Sequence, residues 1–258
     1  MVQWPELAVG TGYSALPPVY DRWQRSYGSD YTTLIVPRLR ATLATLNLPP
    51  GSMVDLACGT GSLAMVMARD GWQVTGIDAS PGMILQARRK AMREQRSVSF
   101  LRQDMRTFHT GTRVDLITCM FDSLNHLLTL RDLRRALVAA HRNLRSGGYF
   151  VFDLNNERCY LRHWRGDAAM HGRDFAVILE SRYDRRRRLG TIDVTVFDRE
   201  GKGFRRERER VRERYYPRAE VRSALQAAGF KNIRAREFNF TPHPEFGPLK
   251  TWWVAQAR

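Results

Sequence analysis

Residues 54–64 read VDLACGTGSLA: an apolar run, two glycines one residue apart, and the opening of a second apolar segment. Gly59 and Gly61 let the chain turn sharply and let a ligand lie against bare backbone at the carboxyl end of a strand. The spacing Gly59-x-Gly61-x-x-Ala64 by itself suits several nucleotide ligands, a nicotinamide dinucleotide among them, so the surroundings must decide. Met53–Ala57 predicts the strand and Ser62–Asp70 the helix. Downstream the alternation continues, with a strand over Trp72–Ile77 and a helix over Pro81–Glu94. That helix has proline at its start and Ser80 as its N-cap. Val98–Arg102, Val114–Met120 and Tyr149–Leu154 predict three more strands, and Leu130–Leu144 a helix closed by Ser146-Gly147-Gly148. Strands this apolar, separated by helices, imply a parallel sheet covered on both faces: a doubly wound, Rossmann-like α/β fold.

Upstream, Leu39, Leu43 and Leu46 recur at helical spacing, Pro37 opens or kinks that helix, and Pro49-Pro50-Gly51 stops it. Residues 1–30, rich in Pro, Gly and Tyr, read as a lid segment with a short helix around Pro18 to Arg25. Beyond Asn155 the pattern changes. Phe175–Tyr183, Thr191–Asp198 and Phe204–Tyr215 predict a three-stranded antiparallel insertion, within about residues 160–216. On the third strand, period two puts Arg206, Arg208, Arg210, Arg212 and Arg214 on one face, and Glu207, Glu209, Val211 and Glu213 on the other. A helix over Pro217–Ala228 and strands over Lys231–Phe240 and Leu249–Ala257 complete a seven-stranded sheet, so residues 31–258 form one domain.

Acids stand where the strands end. Asp55 lies four residues before Gly59. Asp78, 17 residues after Gly61, is placed to accept hydrogen bonds from both hydroxyls of a ribose. Asp104 ends the third strand and is suited to an adenine amine, while Met83 and Met105 offer polarizable walls to the ring.

Taken in order, these stretches resemble the class I S-adenosylmethionine-dependent methyltransferases. Asp55-x-x-x-Gly59-x-Gly61, GIDASPGM, QDM and CMFDSLNHL stand at the ends of consecutive strands between about Met53 and Leu154. The resemblance implies S-adenosylmethionine as cofactor, with backbone around Ala57, Gly59 and Met120 holding its methionine part. It assigns Asp78 to the ribose, and Ala79, Met83, Asp104 and Met105 to the adenine. The fuller layout is similar to small-molecule methyltransferases such as glycine N-methyltransferase and sugar-amine N-methyltransferases. It shares with them an amino-terminal tyrosine segment (Val19-Tyr20-Asp21-Arg22-Trp23), inserted strands and a Tyr215-Tyr216-Pro217 helix start. Transfer to a small-molecule acceptor, an amine before a hydroxyl, is the expectation. His126 is the candidate base, Tyr20 and Tyr31 are expected to close over the sulfonium, and Trp164 and His243 to line the acceptor pocket. Asp122, Asp153 and Asn155 resemble magnesium-binding acids of catechol-type O-methyltransferases, but strand-end acids are common and no metal is assigned.

Composition bounds the rest. The chain has 258 residues, 43% of them hydrophobic, which suffices for one sizeable core. It shows no apolar run of membrane-spanning length and no signal-peptide pattern. Cys58, Cys119 and Cys159 lack metal spacing and read as reduced thiols, so the cytoplasm is the expected compartment. The net charge of +16 comes almost wholly from arginine, with only Lys90, Lys202, Lys231 and Lys250 as lysines. Such charge admits an RNA methyltransferase or a basic RNA-binding protein as the alternative. The arginines, however, are spread along the chain without aromatic interleaving, so nucleic acid is not the expected substrate. Met120-Phe121-Asp122-Ser123 stands where a nucleobase amine methyltransferase would carry Asn/Asp-Pro-Pro-aromatic. Oligomeric state, monomer or homodimer, is left open.

Overall fold

The computed structural model of the chain describes residues 10–11, 13–26, 31–239 and 247–258. These form two sheets. The larger is built from β2 (Ser52–Leu56), β3 (Gln73–Asp78), β4 (Ser99–Arg102), β5 (Val114–Cys119), β6 (Leu144–Asn155), β11 (Phe230–Phe238) and β12 (Lys250–Ala257), in the order β11-β12-β6-β5-β2-β3-β4. β2 pairs in parallel with both β3 and β5, and only β12 runs against its neighbours. The chain leaves β2 for β3 on one side and later returns to β5 on the other. This reversal leaves a crevice at the carboxyl ends of β2, β3 and β5, where α/β sheets bind ligands.

The central strands are covered by two apolar layers. Val54, Leu56, Ile117, Phe150, Phe152 and Trp253 face a core shared with α5 (Leu130–Asn143) and α7 (Arg218–Ala227). Met53, Leu116, Met120 and Val151 face the other, shared with α2 (Tyr31–Thr45), α3 (Ser62–Arg69) and α4 (Pro81–Arg93). Ser80 caps α4 as expected, its Oγ accepting from Met83 N–H at 3.3 Å. Pro37 lies within α2. The Ser146–Gly148 stretch differs from expectation. It lies in the irregular start of β6, where Gly147 takes a positive φ of 81°.

The second sheet corrects the three-stranded reading. β8 (Phe175–Asp184), β9 (Leu189–Glu200) and β10 (Gly203–Arg214) are the three expected strands. β7 (Gly166–His171) adds a fourth, antiparallel to β8, and β1 (Gly10–Thr11) pairs in parallel with β10. β7 escaped notice because nearly all of GDAAMH is exposed, so no inward-facing alternation marks it. α6 (Glu157–His163), capped by Asn156, was likewise unexpected. On β10, period two holds through the inner half. Glu209, Val211 and Glu213 are buried, and Arg210 and Arg212 are exposed. Packed beneath this sheet is α1 (Tyr20–Ser26), whose Trp23 joins Val19, Val177 and Val196 in a third apolar cluster.

Candidate active site

A cavity of about 790 Å³ opens at the crevice and runs from the ends of β2, β3 and β4 to the inserted sheet. This lies within the range of about 300–1,000 Å³ usual for small-molecule sites. Its floor is made by turns in unusual backbone conformations. Ala57, just past β2, has φ 57°, while Phe121 and Asp122, just past β5, have φ 63° and 52°. Each left-handed non-glycine residue costs about 1–3 kcal/mol and persists only where neighbours over-determine it. At the second turn that neighbour is Asp153, whose carboxylate accepts from Phe121 N–H at 2.7 Å and Asp122 N–H at 3.2 Å.

The residues expected to hold the cofactor gather at one end. Gly59 has φ 54°, and a Cβ built there would meet nothing within 4 Å. The space beside it is therefore open, and the glycine presents bare backbone to whatever fills it. Asp55 is 2% exposed; its Oδ1 accepts from Thr118 Oγ1 at 2.9 Å, and the Ala64 N–H also bonds the carboxyl. Burial raises its pKa to about 7, partly offset by the Thr118 hydrogen bond. Asp78 accepts from Gly59 N–H at 2.9 Å and Ser80 N–H at 2.8 Å, binding the glycine turn to the start of α4. Burial raises its pKa as well, against those backbone bonds. Ala57, Ala79, Met83, Asp104, Met105 and Met120 line the same cavity. The open glycine cradle beside Asp55 fits the polar methionine part that the resemblance places there, and Asp78 and Asp104 line the part of the cavity expected to hold the nucleoside.

Three details depart from the expected assignments. Gly61 does not line the cavity. Its φ is 79°, and a Cβ there would come within 2.7 Å of the Phe100 ring, so this glycine serves helix-to-strand packing. The Asp104 carboxylate is already gripped by Arg106, whose Nε lies 2.9 Å from Oδ1, and this holds its pKa below the usual carboxylate range. Tyr31 lies behind the cavity. Its ring packs on Phe121 at 4.1 Å between centroids, and its hydroxyl donates to Asp153 at 3.3 Å.

At the opposite end, Tyr13, Tyr20 and His126 converge with the backbone of β10. His126 stands in a 3₁₀ turn, Ser123–His126, that follows the strained loop after β5. Its Nε2 is 3.2 Å from Tyr13 Oη, and its Nδ1 is 3.2 Å from the Arg212 carbonyl oxygen. A carbonyl only accepts, so Nδ1 carries the proton and Nε2 the lone pair toward the cavity. Burial lowers the His126 pKa, offset in part by Asp122. Tyr13 was not singled out in the sequence. It stands outside any periodic segment and is held at the site by Glu209, which accepts from Ser14 N–H at 2.6 Å and Ala15 N–H at 2.9 Å, and by Ser80, whose Oγ donates to the Tyr13 carbonyl. Trp164 is buried elsewhere, packed with Cys159, Tyr160 and Leu249, so it does not line this cavity. His243 lies outside the described residues. Asp122 and Asp153, weighed above as magnesium-type acids, both bind the buried ammonium of Lys250, at 2.7 Å for Asp153 Oδ2.

Comparison with known proteins agrees with this layout. Residues 53–148 match the methyltransferase-domain family. The putative methyltransferase YqeM of Bacillus subtilis is 31% identical over 185 residues, which cover 70% of this chain and 74% of that protein. The chain spans a smaller part of other curated relatives. A putative methyltransferase of Geobacillus is 34% identical over 40% of this chain and 42% of its own length. The dTDP-3-amino-3,6-dideoxy-alpha-D-glucopyranose N,N-dimethyltransferase of Streptomyces fradiae is 34% identical over 48% and 47%. Among solved structures, the sugar N-methyltransferase KedS8 of Streptoalloteichus superposes with a TM-score of 0.76 at 22% identity, covering 100% of this chain and 99% of that one. Sequence match, sheet order and cavity together identify this chain as a member of the S-adenosylmethionine-dependent methyltransferases.

Proposed function

We propose that this chain transfers the methyl group of S-adenosylmethionine to an amine of a small-molecule acceptor. The carrying observation is His126 Nε2, left as a lone-pair nitrogen at the far end of a cavity whose near end has the cofactor residues. When bound, the cofactor supplies a methyl group on an already activated sulfonium, so positioning and a free acceptor lone pair are what the protein must provide. In the free site the Tyr13 hydroxyl donates to Nε2. An acceptor ammonium entering there displaces that hydroxyl and passes its proton to the imidazole. Burial holds the His126 imidazole below its ordinary pKa, which still lies far closer to an α-amino-type ammonium near 8 than to an aliphatic hydroxyl. This favours amines. Tyr13 and Tyr20 stand 6.1 Å apart, edge to face, as walls beside the reacting centre. The names of the Streptomyces relative and of KedS8, both amine methyltransferases of sugars, support the same reading.

We read the N-terminal segment and the inserted strands as the lid and wall of the acceptor end. Such enclosure suits a small molecule better than RNA. A tritiated-methyl assay on a metabolite extract and on total RNA, both at physiological salt, tests this. Label in a low-mass, ribonuclease-insensitive amine is expected. Label confined to a defined RNA position refutes the proposal. RNA binding that only follows the +16 charge should fall steeply with salt.

A further inference from the structure

Glu213 sits near the end of β10 with its carboxyl wholly inside the protein, 3% exposed. Its Oε2 is fully engaged, accepting from Tyr160 Oη at 2.9 Å and from Asn155 Nδ2 at 3.0 Å. Its Oε1 is 3.7 Å from His126 Nε2, the nitrogen that bears the lone pair. The same carboxyl hydrogen-bonds Asp122, which in turn binds Lys250. A continuous polar line therefore runs from the cavity, through His126 and Glu213, to a buried ammonium.

We propose that Glu213 is a positioning residue of the transfer reaction: it serves as the counter-ion that His126 acquires when its Nε2 takes the acceptor's proton. This rests on the reading of His126 as base. The charge logic is local. A neutral imidazole needs only Tyr13 on Nε2, but an imidazolium in a buried site needs a carboxylate within about 4–6 Å. In the resting cluster the positive charge of Lys250 is met by Asp122 and Asp153. Glu213 then keeps a proton, in keeping with its pKa lying well above the ordinary carboxylate range because of burial and Asp122. That proton is on Oε1, since both lone-pair directions of Oε2 are used. Protonation of His126 draws Oε1 into its ionised form as its proton passes along the hydrogen bond to Asp122, so the His126 ring and the Glu213 carboxyl titrate as one pair. The groups facing His126 are Tyr13, Asp78, Asp122, Glu213 and Lys250. Those facing Glu213 are Tyr13, Asp122, Tyr160, Cys159 and His126. No step consumes an oxidant or a second substrate: one proton moves from acceptor nitrogen to imidazole, and one from Glu213 to Asp122.

The test is an NMR titration of the free protein with labelled histidine rings and glutamate carboxyls. In the wild type, the Glu213 carboxyl and the His126 ring are expected to move with a common midpoint. In Glu213→Gln the His126 midpoint should fall by about one pH unit. Tyr160→Phe, which removes only the Oε2 partner, should leave it within a few tenths. The acid limb of the kcat/KM profile should move down with the ring in Glu213→Gln. Independent midpoints in the wild type overturn the proposal, even where the variant fails to fold. So does a Tyr160→Phe shift as large as that of Glu213→Gln, which would make the glutamate merely structural. Because the titration uses no acceptor, a shared midpoint in a protein that methylates no amine would refute the amine reading and leave the pairing standing.

Discussion

Replacing Asp55 with Asn isolates a conflict between folding and binding at the cofactor end. Asp55 is buried beside Thr118, and its pKa of about 7 compares with 3.8 for the ordinary side chain. Below about pH 4 both the folded and the unfolded chain hold this proton, and there is no difference. Between about pH 4 and 7 the unfolded chain ionises while the folded one does not, so stability falls as pH rises and then levels off. Three pH units at 1.36 kcal/mol each set a ceiling of about 4 kcal/mol on the loss. Asn keeps a carbonyl oxygen for Thr118 Oγ1, bonded at 2.9 Å in the native protein, and carries no charge to desolvate. Asp55→Asn should therefore be more stable than wild type by about 2–4 kcal/mol at pH 8 and equal to it near pH 4. Denaturant unfolding at the two pH values measures this. Binding should move the other way. Asp55 borders the cavity, where a ligand ammonium favours its ionised form, so wild-type affinity for S-adenosylhomocysteine should rise between pH 6 and 8, while the variant binds weakly throughout. A variant less stable than wild type at pH 8, or one with the wild-type pH slope, would refute the reasoning.

Two further substitutions probe the nucleoside end. Asp78→Ala should weaken S-adenosylhomocysteine binding by about tenfold or more, since each charge-assisted hydrogen bond to a ribose hydroxyl contributes about 1.5–3 kcal/mol. The same change frees the Gly59 and Ser80 N–H groups, so calorimetric affinity must be read beside thermal unfolding of the free protein; unchanged affinity in a folded variant removes Asp78 from the site. Arg106→Met should tighten S-adenosylhomocysteine up to about fivefold, because an exposed ion pair contributes at most about 1 kcal/mol and its removal frees Asp104 for the adenine amine. Weaker binding in that variant would mean that Arg106 holds the nucleoside instead of competing with it.

The cofactor half was legible because its chemistry is written in short range. A strand, a glycine turn and a strand-end acid sit within a few residues of one another. Asp55, Gly59, Asp78 and Asp104 reach one cavity as soon as the strands are parallel and adjacent. The acceptor half is assembled from distant segments, and local patterns do not encode it. Tyr13 meets His126 across 113 positions, and Glu209 meets Ala15 across 194. Lys250 was read only as part of a closing strand, yet it is 2% exposed and binds Asp153 of β6 and Asp122 of the turn after β5. Nothing in LKTWW distinguishes a buried lysine from a solvated one. Glu213 was assigned its correct face by period two, but that pattern reports only which side is inward, not what waits there. Tyr31 and Trp164 show the converse error. Aromatic residues near a site in sequence are buried for packing as readily as for ligand contact.

The segment that carries Tyr13 and α1 is bonded on two sides. Toward the inserted sheet, β1 pairs with β10, Glu209 holds the Ser14 and Ala15 N–H groups, and Arg22 binds Asp174 at 2.8 Å and Asp198 at 2.6 Å. Toward the cofactor loop the contacts are fewer: Thr60 Oγ1 donates to Asp21 Oδ1 at 2.6 Å, Lys90 Nζ lies 2.7 Å from Asp21 Oδ2, and Ser80 Oγ donates to the Tyr13 carbonyl at 3.1 Å. The second set grips the turn that carries Gly59 and the cap that follows Asp78. Gly59 is one residue from Thr60, which binds Asp21, and Asp78 is two residues from Ser80, which binds the Tyr13 carbonyl. The glycine turn, the cap of α4 and the tyrosine beside His126 are thereby joined through one segment.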